Sequence, residues 1–284
     1  MADGSRGTDL SAHRPGGRSL SRRRTPQRLP GLVDSHAHLQ HARFDDDREE
    51  VIQRARDAGL TRILVPGWDL DSSEAALELA ARHPDLIHAA VGVHPHDAAG
   101  MDEAAWARLE ALAADPNVRA VGEIGLDYFR NLSPPDVQRE AFQRQLELAA
   151  DRSLPVLVHD RDAHDDVTAA LLAWSGPSEG RPRGVMHAFS GGVQMARMLS
   201  AAGFHISFAL PVAFRSAVGP REAAIDLPDG TFLVETDAPY LGADREGRNE
   251  PTTALRVATE LARLRATTPE VIAEMVSRAY SRMW

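Results

Sequence analysis

The sequence predicts a single-domain α/β fold, a (β/α)8 barrel, and three observations carry that prediction. Eight short apolar runs, each bounded by turn residues, recur along residues 31–284. Helical patterns separate them, and the whole spans about the 250 residues that such a barrel uses. The runs are apolar nearly throughout instead of alternating, as strands are when both faces of a parallel sheet are covered.

Taken in order, the runs place polar residues at their C-terminal ends, the face where barrels build their sites. "GLVDSH" (31–36) ends at His36, and His38 follows two residues on. "TRILVPG" (61–67) carries no such group. "LIHAAVGVH" (86–94) ends at His94, with His96 beyond it, and "VRAVGEIG" (118–125) holds Glu123. "LPVLVH" (154–159) ends at His159, and "GVMHAF" (184–189) contains His187. "FHISFA" (204–209) is silent, whereas "TFLVET" (231–236) holds Glu235 and is followed by Asp237. Among the helices, "DVQREAFQRQLELAA" sets Phe142, Leu146 and Ala149 on one face. In the closing "TTPEVIAEMVSRAYSRMW", Thr268 can cap and Pro269 opens the first turn.

Composition narrows the chemistry. The 284 residues include no cysteine and no lysine, so all 32 basic residues are arginine. Thiolate ligands, a cysteine nucleophile, Schiff-base chemistry and a carboxylated-lysine metal bridge are thereby excluded. No apolar run is long enough to span a membrane. Residues 1–30 hold seven arginines against Asp3 and Asp9, a net of +5, and the remainder carries −14. An acidic body argues against a long groove that tracks a nucleic-acid backbone, although a small site gripping one phosphate fits it. The first thirty residues show no apolar periodicity and read as an Arg-rich disordered tail, with the barrel beginning near Gly31. The cytoplasm is the expected compartment and a monomer the expected assembly.

His36 and His38 stand at i and i+2, so on an extended strand both point the same way. An H-x-H pair alone is a weak signal. Four further ligand types at matching strand ends make a metal centre of His36, His38, Glu123, His159, His187 and Asp237. Histidine with carboxylate suits a hydrolytic metal, with zinc, manganese, magnesium, iron or nickel as candidates. Six ligands exceed the three that one open catalytic ion takes. Two divalent ions are therefore expected, one on His36, His38 and Asp237, the other on His159 and His187, with Glu123 as the bridge. Such a pair retains positive charge after the carboxylates and a hydroxide are counted, and so attracts an anion such as a phosphodiester. Asp237 is placed to take a proton from water and return it to the leaving group.

The runs "VDSHAHL", "GVHPH", "VGEIGLDYFRN", "PVLVHDRDA", "HAFSGG", "ISFA" and "VETDAPYL…GRNEP" together resemble the TatD family of metal-dependent deoxyribonucleases. The resemblance extends in order from about residue 32 to the C-terminus. It implies a TIM barrel with a two-metal site that hydrolyses phosphodiester bonds, often as a 3′→5′ exonuclease acting on DNA ends. Its ligands fall on His36, His38, Glu123, His159, His187 and Asp237, the set reached from the strand ends. This chain departs from the family pattern at Ala37 and Ala188, where cysteine is frequent, and at Asp160 in "HDRDA". It also departs in "FAL", at Ala279 and in the acids of "ADREGRNEP".

Other residues carry two readings. His94 is assigned to substrate contact, against a plain loop hydrogen bond. Arg161 is assigned to a phosphate, against a salt bridge to Asp162 or Asp165, and Arg130 shares that ambiguity. Glu235 reads as orienting a ligand or as a buried polar pair. His41 lies beyond its strand, and "FDDDREE" reads as a solvated helix start. His83, His88, His164 and His205 are structural, and the four tryptophans show no arginine-linked stacking platform. An amide or ester hydrolase on the same scaffold, for example one acting on aminoacyl esters, is the alternative function. A non-catalytic binder using the arginine tail is a third.

Overall fold

The computed structural model describes residues 28–177, 180–243 and 247–284. The tail expected over residues 1–30 lies outside the described residues as far as residue 27. Eight parallel strands form one sheet in sequence order: β1 (Leu32–Asp34), β2 (Leu60–Pro66), β3 (Ile87–Val91), β4 (Val118–Asp127), β5 (Val156–Arg161), β6 (Gly184–Met186), β7 (Phe204–Phe208) and β8 (Phe232–Val234). The helices among the described residues are α1 (Arg48–Asp57), α2 (Leu70–Arg82), α3 (Glu103–Leu112), α4 (Pro135–Asp151), α5 (His164–Ala173), α6 (Val193–Ala201), α7 (Val218–Asp226), α8 (Ala254–Leu264) and α9 (Pro269–Ser281). Each expected run holds one strand. The barrel is as the sequence predicts.

The strands are apolar nearly throughout because their two faces meet the barrel interior and the helix layer. Leu32, Ile63, Leu64, Phe204, Phe208 and Phe232 are fully buried. Leu29, ahead of the expected start at Gly31, is also buried, and its N–H donates to Ala58 O at 2.8 Å. Caps set the helix starts: Asp69 and Ser72 form a capping box on α2, and Asp102 accepts from Ala105 N on α3. Thr268 caps α9 as expected, with Pro269 in its first turn.

Two features of the sheet position the site. The ring closes just beyond β1 and β8, where Ser35 N donates to Val234 O (2.9 Å), Asp237 N to His36 O (2.9 Å) and His38 N to Ala238 O (2.7 Å). The three residues expected to share one ion therefore lie on a single hydrogen-bonded seam. Asp237 adopts φ +54°, a left-handed conformation that aspartate tolerates better than most residues. The second feature is an irregularity between β4 and β5, where the register shifts between Val121 and Ile124. Glu123 sits in it and donates its N–H to Gly67 O at 2.8 Å, and such bulges re-aim a side chain. Gly125 allows the approach: it has φ +140°, and a Cβ there would lie 2.0 Å from His159 O.

The histidines read as structural have partners away from the mouth. His88 Nδ1 lies 2.9 Å from the Tyr280 hydroxyl, and His83 Nε2 lies 3.2 Å from Glu49. Burial pushes the His205 imidazole down to about 4, against a hydrogen bond to Ala279 O that favours its charge. Below pH 6.5 the unfolded chain takes up a proton there that the folded chain refuses. Stability is thus lost as pH falls toward 4, by about 3 kcal/mol from this one group. Urea unfolding at pH 6.5 and 4.5 is expected to show a smaller acid loss in His205→Gln than in the wild type. Equal losses would remove His205 from the acid response.

Candidate metal centre

Glu123, only 3% exposed, occupies the centre of the barrel mouth. Its two oxygens face different histidines. Oε2 lies 3.4 Å from His36 Nε2 and 3.4 Å from His38 Nε2. Oε1 lies 3.0 Å from His159 Nδ1, 3.5 Å from His187 Nε2 and 3.6 Å from His94 Nε2. Asp237 Oδ1 completes the first side, 3.5 Å from His38 Nε2 and 3.9 Å from His36 Nε2.

All six expected ligands are therefore brought together. Their grouping differs in part from expectation. His36, His38 and Asp237 cluster as the sequence implied. On the other side, His187 groups with His36 and Glu123, while His159 groups with Glu123 and His94. His94 is aimed inward at the carboxylate: its ring packs on His159 with centroids 4.4 Å apart, and its backbone N–H is tied to Trp68 O at 2.8 Å.

Whether these groups suit metal ions is decided by where the protons must sit. His38 Nδ1 lies 3.3 Å from Pro66 O and His187 Nδ1 lies 2.9 Å from Glu235 Oε1. A proton on each outer nitrogen leaves the inner Nε2 as a lone pair. His36 Nε2 and His38 Nε2 then face one another at 3.1 Å, where two lone pairs repel unless a proton or a cation lies between them. His36 Nδ1 is buried without a hydrogen-bond partner among the described residues. Five imidazoles converging on one buried carboxylate suit divalent ions.

Electrostatics follow from the same packing. Burial alone would raise the Glu123 carboxyl, but the imidazoles of His187, His36 and His94 and the bond from His159 hold it well below the usual range. Asp237 is likewise pulled down, against its burial, by His38, His187 and His36. Burial disfavours charge on His187, yet Glu235 and Glu123 overcome it and raise the ring to about 10. Burial also opposes charge on His38, and bonds to Asp237 and Glu123 raise it to about 9. Protons thus occupy positions for which a metal ion competes.

A family sequence model described as TatD related DNase matches residues 33–284. The chain belongs to the TatD-related DNase family. Membership makes it a metal-dependent hydrolase. A metal-dependent hydrolase of Bacillus subtilis, YabD, is 39% identical over 255 residues, covering 89% of this chain and 98% of its own length. A protein of Erwinia billingiae named 3′-5′ ssDNA/RNA exonuclease TatD is 38% identical over 248 residues, covering 85% and 94%. The crystal structure of the TatD homologue YJJV from Escherichia coli superposes with a TM-score of 0.83 at 31% identity, covering 89% and 98%. The TatD-family motifs acquire physical reasons in this fold. The glycines of "VGEIG" admit the bulge that aims Glu123. In "GRNEP", Arg248 Nη2 binds Asp47 Oδ2 at 2.7 Å and Glu250 at 3.0 Å, while Asn249 Nδ2 donates to Thr236 O and Tyr240 O. Together they clamp the loop that carries Asp237.

Several supporting residues had escaped the sequence reading. Asp34, fully buried, accepts from Thr236 N and His36 N and so braces the seam from below. Asp127, also buried, binds His96 Nε2 at 2.8 Å and lies 3.4 Å from His159 Nε2. An acid four residues past Glu123 in the quoted motif "VGEIGLDYFRN" was visible, but its partners were not. The acids of "FDDDREE" largely precede α1, where Asp47 serves as the Arg248 partner. Asp244 and Glu246 of "ADREGRNEP" lie outside the described residues. His41 Nδ1 accepts from Arg43 N at 3.0 Å. Arg161 forms no ion pair among the described residues; its guanidinium lies 4.0 Å from the centroid of the exposed Phe129 ring.

Proposed function

We propose that this protein hydrolyses phosphodiester bonds of DNA with two divalent ions, releasing nucleotides from the 3′ end. The observation that carries the reading is Glu123, whose two oxygens face two separate histidine groups. His36, His38, Asp237 and Oε2 would hold one ion; His159, His187 and Oε1 would hold the other, with His94 in reach of Oε1. When bound, ions in such pairs supply an acidified water and neutralise charge developing on phosphoryl oxygens. The donor set suits zinc, manganese or iron.

The chain's own groups supply the remainder. Asp237, 9% exposed at the rim of the cluster, can accept a proton from water at its carboxylate and return it to the leaving oxygen. Glu235 holds His187 in the orientation that points Nε2 inward. Within an acidic body, several arginines of the mouth stand without a carboxylate partner. On the outer surface Arg108, Arg144 and Arg197 are paired with carboxylates. On the loops of the mouth Arg43, Arg130, Arg161 and Arg215 make no ion pair among the described residues. Uncompensated guanidinium groups there favour a phosphate-bearing chain, with Arg161 as one contact.

The test is digestion of a 5′-labelled single-stranded oligonucleotide by the full-length protein with manganese. Progressive shortening from the 3′ end is expected, lost on chelation and restored by manganese. A parallel panel of aminoacyl esters and N-acyl amino acids must remain intact. Hydrolysis confined to those carbonyl compounds would replace the phosphodiesterase with the ester or amide hydrolase.

A further inference from the structure

Aromatic side chains gather on one side of the mouth, brought there from distant parts of the chain. Trp68 leaves the end of β2, and Tyr240 lies three residues past Asp237. Their rings stand edge-on to His38, with centroids 5.3 Å and 6.0 Å from it. Both also meet His41, each at 5.7 Å. Since His38 Nε2 faces Glu123, these rings border the metal centre itself. Tyr240 nevertheless leaves 47% of its surface to water. Its backbone is fixed, because Tyr240 N donates to Asp237 O and Tyr240 O accepts from Asn249. The exposed ring is therefore held at a set distance from the reacting groups.

Guanidinium groups stand beside the rings, next to the carboxylates of the centre. Arg43 donates to Pro239 O at 3.2 Å and has no carboxylate partner among the described residues, nor has Arg130. Both act electrostatically on the Tyr240 hydroxyl, opposing the larger influence of Asp237 and Glu123. A flat apolar face flanked by free guanidinium groups and a metal centre matches one ligand chemistry, an aromatic base joined to phosphate. A partner that was only apolar would leave the arginines unused.

We propose that Tyr240 and Trp68, both in contact with His41, form a slot in which the nucleobase at the end being cleaved is stacked. The proposal deepens the phosphodiesterase reading and rests on it. Every base presents a π face, so stacking holds any terminal nucleotide and discriminates little between sequences. That suits an enzyme that must release each nucleotide in turn. Tyr240 and Trp68 are then positioning residues, acting on substrate affinity and register.

The experiment compares an oligonucleotide ending in a normal 3′ nucleotide with one ending in an abasic nucleotide, using the full-length protein with manganese. The wild type is expected to show a KM about ten-fold higher for the abasic end, the scale of one base–aromatic stack. Tyr240→Ala is expected to raise KM for the normal end by a similar factor and leave the abasic KM alone, with kcat largely kept. Tyr240→Phe, which retains the ring, is expected to recover most of the difference. In a second readout, 2-aminopurine at the 3′ terminus is titrated with protein in chelator, where nothing is cleaved. Its fluorescence should be quenched by the wild type and less so by Tyr240→Ala or by Trp68→Leu. Equal KM for both ends in the wild type, equal weakening of both by Tyr240→Ala, or absence of quenching would overturn the slot. Failure of the wild type to cleave either end would overturn the phosphodiesterase reading itself.

Discussion

Asp237→Asn is expected to lower hydrolysis by about three orders of magnitude, within the range lost when a positioned acid–base group is removed. The substitution preserves shape, and the seam bond from residue 237 N to His36 O belongs to the backbone, so the fold should survive. What disappears is the charge at Oδ1, 3.5 Å from His38 Nε2 and 3.9 Å from His36 Nε2, together with the capacity to take a proton. Two measurements separate these roles. Single-turnover hydrolysis reads the chemical step, and metal analysis of the dialysed protein reads ligation. A large rate loss with metal retained assigns Asp237 to proton transfer; a loss of metal assigns it to ligation. Near-normal rates with full metal content would remove it from the mechanism.

Glu123→Gln is expected to have the second large effect, and its first symptom should be loss of metal. A neutral amide in the centre of the mouth leaves His36, His38, His94, His159 and His187 facing one another without the carboxylate they share. Two cations sharing that position would lose the anion that keeps them together. Loss of a group that only supports a ligand lowers metal affinity by about 10–100-fold, so loss of the shared carboxylate should exceed about 100-fold. Isothermal titration with manganese or zinc measures it, with circular dichroism confirming the fold. If two ions still bound with undiminished affinity, Glu123 would not be the bridge.

Much of this architecture was legible in the amino-acid order because barrel strands are local features. Each apolar run reports its own burial on both faces, and eight of them separated by helices leave few alternatives. The clustered side chains proposed as ligands were legible for the same reason: His36 and His38 share a side by strand alternation, and the others stand at run ends. Less could be read of how the ligands divide. The sequence reading set His159 with His187 on the second ion and left His94 out of it, whereas the bulge at Glu123 and the turn after β3 bring His94 to the carboxylate. Neither feature leaves a periodic trace. Arg248 and Asp47, and Asp34 and Thr236, are likewise contacts between opposite ends of the chain.

Tryptophan placement shows where one-dimensional reading stops. Trp68 has no aromatic or arginine cluster around it in sequence, and no stacking platform was expected there. Folding sets it and Tyr240 against the same two histidines, His38 and His41, because β2 and β8 both flank β1 in the closed ring.

Barrel class, membership of the TatD-related DNase family and the identity of the six clustered side chains were thus determined by the order of residues alone. Which carboxylate oxygen faces which imidazole, which nitrogen of each ring is free, and which aromatic rings border the centre were decided only in three dimensions. The physical reason is range. Alternation and burial act over a few residues, whereas ligand geometry depends on register, bulges and ring closure between strands far apart in the chain.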